Sequence, residues 1–197
     1  MKHSAGAVIL VHGRGATAQS ILTLAPELGE DGLVYVAPQA PGNTWYPESF
    51  LAPLARNEPA LSRSLGILRD ALASLESQGR TRERIALVGF SQGACLALEF
   101  AARHASRFGA VIAFTGGLLG PRGTPRAYAG AFDGTPVFLG SGDPDPHVPA
   151  WRVKETAEVL EGMGAAVDLR IYPGLPHTVN EDELSAARAL LAGMVRG

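Results

Sequence analysis

Six apolar runs punctuate the chain at wide intervals: Ala7 to Val11, Leu33 to Ala37, Ile85 to Phe90, Ala110 to Phe114, Pro136 to Gly140 and Val167 to Tyr172. Their hydrophobicity is nearly continuous rather than alternating, which is the pattern of strands covered on both faces. Between most of them the period changes to that of a helix. The clearest case sets Leu61, Leu65, Leu68, Leu72 and Leu75 at alternating spacings of four and three. That stripe predicts a helix with Asn57 as its N-cap, Pro59 in its first turn and Gly79 beyond its end. Near the C-terminus, Asn180 and Glu183 stand in capping-box spacing, and Leu184, Ala187, Leu191 and Met194 follow on one face, predicting a final helix. Strands and helices that alternate with crossovers of this length form a mostly parallel sheet, here of about six strands, with helices on both faces. In such an α/β domain, catalytic loops gather at the carboxyl ends of the strands.

At 197 residues and 46% hydrophobic content the chain is long enough for one sizeable core and too short for two ordinary domains, so a single domain over 1–197 is expected. The net charge is -2, and no basic run is interleaved with aromatics, which removes the electrostatic footprint of nucleic-acid binding. Cys95 is the sole cysteine, so no internal disulfide or cysteine-pair zinc site can form. No apolar stretch reaches spanning length, and the early run Ala7 to Val11 is too short for a signal-peptide core. The expectation is a cytoplasmic protein without stable membrane insertion. The one long irregular stretch, 38–57, carries Trp45, Tyr46 and Phe50; a loop of that length serves as a lid or wall, or as an ordinary crossover.

Gly89-Phe90-Ser91-Gln92-Gly93 follows the third apolar run directly, where a buried strand must turn sharply into a helix, and this makes Ser91 the candidate nucleophile. A serine hydroxyl needs a general base, and the base needs a carboxylate to fix its tautomer. His177 lies just beyond the last predicted strand, in a loop held by prolines and glycine. It is preferred over His3, His12, His104 and His147. Asp143 and Asp145 both follow the fifth run, and either carboxylate could reach the site. The order serine, acid, histidine is that of the α/β-hydrolase fold. In that fold one oxyanion donor is the N–H after the nucleophile, here Gln92, and the other comes from the loop after the first core strand, here Arg14 in His12-Gly13-Arg14-Gly15. His12 is expected to brace that loop, and Cys95 to be buried core.

These motifs, with Gly142-Asp143-Pro144-Asp145-Pro146-His147-Val148-Pro149, resemble the phospholipase/carboxylesterase family, whose relatives include acyl-protein thioesterases. The resemblance covers nearly the whole chain. It implies Ser91, Asp145 and His177 as a triad, because the family places its acid directly before a Pro-x-Val-Pro segment. It also implies oxyanion donors at the backbone of Arg14 and Gln92, and a Trp-bearing segment beside the acyl pocket, with Trp45, Tyr46, Phe50 and His147 as substrate-binding candidates. Arg14 departs from the apolar residue of the better-known thioesterases, and its guanidinium could attract an acidic substrate or pair with a local carboxylate. The expected function is a serine hydrolase that cleaves small-molecule carboxylic esters of short to medium acyl chain, without metal or cofactor. The alternatives are a lysophospholipase or acyl-protein thioesterase, or a non-catalytic ligand receptor on the same fold. A homodimer is left open.

Overall fold

The computed structural model describes residues 6–29 and 32–196. Six strands, β1 (Gly6–Val11), β2 (Leu33–Val36), β3 (Ile85–Phe90), β4 (Ala110–Phe114), β5 (Pro136–Asp143) and β6 (Ala166–Pro173), form one sheet in the order β2-β1-β3-β4-β5-β6, every pairing parallel. Among the described residues the α-helices are α1 (Ala18–Leu22), α2 (Ala25–Leu28), α3 (Ala60–Ser77), α4 (Gln92–Arg103), α5 (Ala150–Gly162) and α6 (Glu181–Arg196). The period-2 geometry of a strand splits the core in two. Ala7, Ile9 and Val11 of β1 pack on one face with α3, α4 and α5, while Val8 and Leu10 pack on the other with Leu28 of α2 and Ala187, Leu191 and Met194 of α6. Both faces of the inner strands β1, β3, β4 and β5 are covered, which is why these read as continuous apolar runs, whereas the edge strands β2 and β6 are only partly buried and β6 carries Asp168 and Arg170.

Two expectations need correction. Asn57 does not cap α3: it ends a 3-10 turn, Leu54–Asn57, and is buried. Pro59 takes the N-cap position, and the Glu58 carboxylate accepts the Ser62 N–H at 3.1 Å in place of a conventional cap. The fifth strand also runs three residues beyond Gly140, through Asp143, because Ser141, Gly142 and Asp143 continue the register with β6. The reciprocal cap at α6 is present: Glu183 N–H donates to Asn180 Oδ1 at 2.9 Å, and Asn180 N–H to Glu183 Oε2 at 2.8 Å.

Glu183 carries a cost with that cap. Its side chain is buried, and Oε1 has no hydrogen-bond partner among the described residues. Burial pushes its carboxyl up to about 7, against the pull of the Asn180 N–H and with help from the Asp182 charge. An unfolded glutamate releases its proton near pH 4.3, so between there and about pH 7 the folded state holds a proton that the unfolded state has lost. Stability therefore falls as pH rises through that window. Glu183→Gln keeps the capping box and removes the titration. We expect its thermal midpoint, relative to the parent, to rise from near pH 4.5 to about pH 8; the same offset at both pH values would exclude this account.

Candidate active site

The site is assembled at the carboxyl ends of β1, β3, β5 and β6. Ser91 sits at φ 55°, ψ -121°, a conformation that few non-glycine residues adopt, on the one-residue turn between β3 and α4. The turn is held by backbone bonds on both sides: Ser91 N–H donates to Phe114 O, and Cys95 N–H to Ser91 O, each at 3.0 Å. The flanking glycines are required by close approach. A Cβ on Gly93 would fall 2.1 Å from Val11 O and 2.5 Å from His12 O, and one on Gly89 would fall 2.5 Å from Gly93 O. These are backbone atoms of β1, of the loop that follows it and of α4, so no side chain can swing away to make room. Gly93→Ala is accordingly expected to destabilise by about 3 kcal/mol or more, or to push the loop after β1 out of place. Denaturant unfolding with a loss below about 1 kcal/mol and full activity would contradict this.

The three candidate residues meet. His177 Nε2 lies 2.8 Å from Ser91 Oγ, and His177 Nδ1 lies 2.7 Å from Asp145 Oδ2. The Asp145 side chain is fully enclosed. Burial opposes its ionisation, but the Val148 and His147 N–H donors and the His177 ring outweigh that and hold the carboxyl below its usual range. Both N–H groups go to Oδ1, at 2.7 and 2.8 Å, which leaves Oδ2 for the imidazole. Asp143 ends β5 with its side chain at the exposed margin. Phe90 and His147 lean on the His177 ring, with centroids 5.2 and 4.8 Å away. Of the rival histidines, His104 is the C-cap of α4, and His3 lies outside the described residues.

Gly13-Arg14-Gly15-Ala16 forms a turn closed by Ala16 N–H to Gly13 O, with Gly15 at φ 76° in its third position, where a side chain would be strained. Among the described residues, the N–H groups of Arg14 and Gln92 meet no protein acceptor. His12 is buried; its Nε2 accepts the Ala40 N–H at 3.1 Å, so the proton resides on Nδ1, which donates to Gly13 O at 2.8 Å. Among the described residues the Arg14 guanidinium pairs with no carboxylate: it donates to Pro47 O at 2.8 Å and Glu48 O at 2.7 Å.

The segment 38–57 is a wall tied to both candidate oxyanion loops. Gly15 N–H donates to Asn43 O at 2.7 Å, and Trp45 Nε1 to His12 O at 2.8 Å. The Gln92 side chain spans the wall's backbone, accepting Trp45 N–H at 3.0 Å and donating to Tyr46 O at 2.8 Å. Asn57 grips it from behind, accepting Glu48 N–H at 2.9 Å and donating to Ser49 O at 3.1 Å. Sequence reasoning missed these side-chain roles of Gln92 and Asn57, which leave no local signal: Asn57 lies between Arg56 and Glu58, and Gln92 between Ser91 and Gly93. A cavity of about 660 Å³ opens over Ser91 and His177, bounded by Arg14, Tyr46, Phe50, Cys95, His147 and Val148 among others. Trp45, expected on the pocket wall, is instead buried behind it against His12.

The phospholipase/carboxylesterase family model matches residues 1–194. The chain belongs to this family. A solved phospholipase/carboxylesterase from Dyadobacter fermentans is 46% identical and superposes with a TM-score of 0.92, covering 97% of this chain and 91% of that one. Acyl-protein thioesterase 1 of Debaryomyces hansenii is 28% identical over 94% of this chain and 90% of its own length. Acyl-protein thioesterase 1 of Gibberella zeae is 34% identical over 119 residues, a match that spans 57% of this chain and about half (49%) of the relative. The protein is thus an enzyme of the phospholipase/carboxylesterase type with an α/β-hydrolase fold. No helix among the described residues is long and apolar enough to cross a membrane.

Proposed function

We propose that the protein is a serine esterase that cleaves carboxylic esters of short to medium acyl chain through Ser91, His177 and Asp145. The observation that carries this reading is the unbroken hydrogen-bonded chain from Asp145 Oδ2 through the His177 ring to Ser91 Oγ, 2.7 and 2.8 Å, at the floor of the cavity. His177 Nε2 takes the Ser91 proton as Oγ attacks the acyl carbonyl, and Asp145 stabilises the imidazolium that forms. The Arg14 and Gln92 N–H groups receive the oxyanion, helped by the dipole of α4. His177 then protonates the departing alcohol, and water repeats the sequence on the acyl-enzyme.

The short-to-medium preference rests on the wall. Tyr46 and Phe50 are buried and their backbones are hydrogen-bonded to Gln92 and to Gly120, so the wall has little freedom to recede before a longer chain. Each added methylene gains about 0.8 kcal/mol only while it is being buried, so kcat/KM should rise along a series of p-nitrophenyl esters and then level off. The names of the fungal relatives favour a second reading, hydrolysis of acyl thioesters by the same groups. A series from acetyl to palmitoyl, as oxygen and sulfur esters below their micelle concentrations, separates the two. A continuous climb to palmitoyl thioester would overturn the short-chain reading. Failure of a fluorophosphonate to label Ser91 would instead favour a non-catalytic receptor.

A further inference from the structure

The segment Gly117 to Gly120, after β4, lies in neither helix nor strand, yet each of its N–H groups has a partner elsewhere in the chain. Gly117 N–H faces the Cys95 sulfur at 3.5 Å, Leu118 N–H donates to Thr156 Oγ1 at 3.0 Å, and Leu119 N–H donates to Glu99 Oε2 at 3.2 Å. The Gly120 N–H goes to the wall, donating to Phe50 O at 2.7 Å. The segment thus ties together two residues that bound the cavity, Cys95 at one end and Phe50 at the other. On the carbonyl side it is held by Arg152 of α5, whose Nη2 donates to Gly120 O at 2.8 Å and whose Nη1 donates to Leu118 O at 3.4 Å. The fit is close: a Cβ on Gly117 would fall 2.7 Å from Arg152 Cγ.

Arg152 is fully buried, and its Nε has no partner among the described residues. Its charge meets the Glu155 carboxylate at 3.3 Å and the Trp151 ring, whose centroid is 4.7 Å from the guanidinium carbon. An apolar side chain of similar volume would fill this space without the penalty of desolvating a cation, and such replacements are often neutral or stabilising. It would leave the Leu118 and Gly120 carbonyls without their donor. The specific contribution of the guanidinium is therefore the shape of this segment. Because Gly120 binds Arg152 through its carbonyl and Phe50 through its N–H, a shift of the segment is passed directly to the wall.

We propose that Arg152 is a positioning residue for acyl-chain selectivity: through Gly120 it holds Phe50 against the cavity and so fixes the chain length at which kcat/KM stops rising. This rests on the short-to-medium reading above. The test compares Arg152→Met, which keeps much of the volume and removes the donors, with Thr156→Val, which removes the Leu118 acceptor at nearly constant shape. Leu191→Ala, a buried truncation on the opposite face of the sheet, is the control for loss of stability alone. Each is assayed with p-nitrophenyl esters from acetyl to palmitoyl below their micelle concentrations, beside a thermal melt. In Arg152→Met and Thr156→Val the limit should move to longer chains by two carbons or more. The ester two carbons past the wild-type limit, relative to the ester at the limit, should then rise in kcat/KM from near parity to about tenfold, since each newly buried methylene is worth roughly fourfold. Leu191→Ala should melt lower and keep the wild-type limit. Because the ratio is read within one preparation, unfolded molecules do not distort it, and if Arg152→Met fails to fold, Thr156→Val decides alone. A limit that stays in place or shortens in a folded variant of Arg152 or Thr156 would overturn the proposal and leave the short-chain reading intact, and so would an equal shift in Leu191→Ala. A wild-type climb that continues to palmitoyl would instead remove the short-chain reading, and the proposal with it.

Discussion

Ser91→Ala is expected to lower kcat for p-nitrophenyl butyrate by on the order of a millionfold, the scale seen when a serine nucleophile is removed, with only the background rate of oxyanion binding left. The fold should survive. The Ser91 backbone keeps its bonds to Phe114 O and Cys95 N–H, and alanine meets the same strain at φ 55° that serine does. Its hydroxyl bonds to His177 alone among the described residues, so the loss is confined to chemistry. Steady-state kinetics with a circular-dichroism melt on the same preparation decide the matter. Near-normal turnover by a pure, folded Ser91→Ala protein would remove Ser91 from the reaction.

The second expectation concerns the acid. Asp145→Asn should lose roughly ten-thousand-fold in kcat, whereas Asp143→Asn should lose little. The reason is specific to this loop. The His147 and Val148 N–H groups both require an acceptor at Oδ1, so an asparagine at 145 must keep its carbonyl there and turn its amide NH₂ toward His177 Nδ1. A donor facing Nδ1 forces the imidazole proton onto Nε2, where it blocks acceptance of the Ser91 proton. Asp143 ends a strand with its carboxylate at the exposed margin and stands in no such chain. A larger loss in Asp143→Asn than in Asp145→Asn would move the acid to Asp143.

The structure bears on how these residues could be found at all. Ser91 and His177 were legible as candidates because each follows a run that reads as a strand, buried β3 for Ser91 and the half-exposed edge strand β6 for His177, and the chemistry of a serine nucleophile demands a downstream histidine. Asp145 was not separable from Asp143 by placement alone. The resemblance singled out Asp145, and the structure adds a reason that spacing does not contain: β5 continues through Gly142, so Asp143 is still in the sheet when the chain turns. The misread cap of α3 has a similar origin. Asn57 has the right residue type and nearly the right position for an N-cap, but its amide is taken by Glu48 and Ser49 on the wall.

By itself, the sequence determined what depends on neighbours in the chain: six strands from apolar runs, the four inner ones buried, helix stripes at period 3.6, the reciprocal cap of Asn180 and Glu183, and a glycine-flanked serine at a strand end. These rest on contacts within a few residues, which leave a local pattern. Only the tertiary structure decided how the candidate site is framed. Gln92 clamps Trp45 and Tyr46 across 47 and 46 residues, Arg14 holds Pro47 across 33, and Trp45 turns from the expected pocket wall to brace His12 across 33. Such bonds have no signature in spacing, because any amide or guanidinium on the chain could make them. Which one does is set by how closely β1, α4 and the 38–57 wall pack, and that packing is a property of the whole sheet.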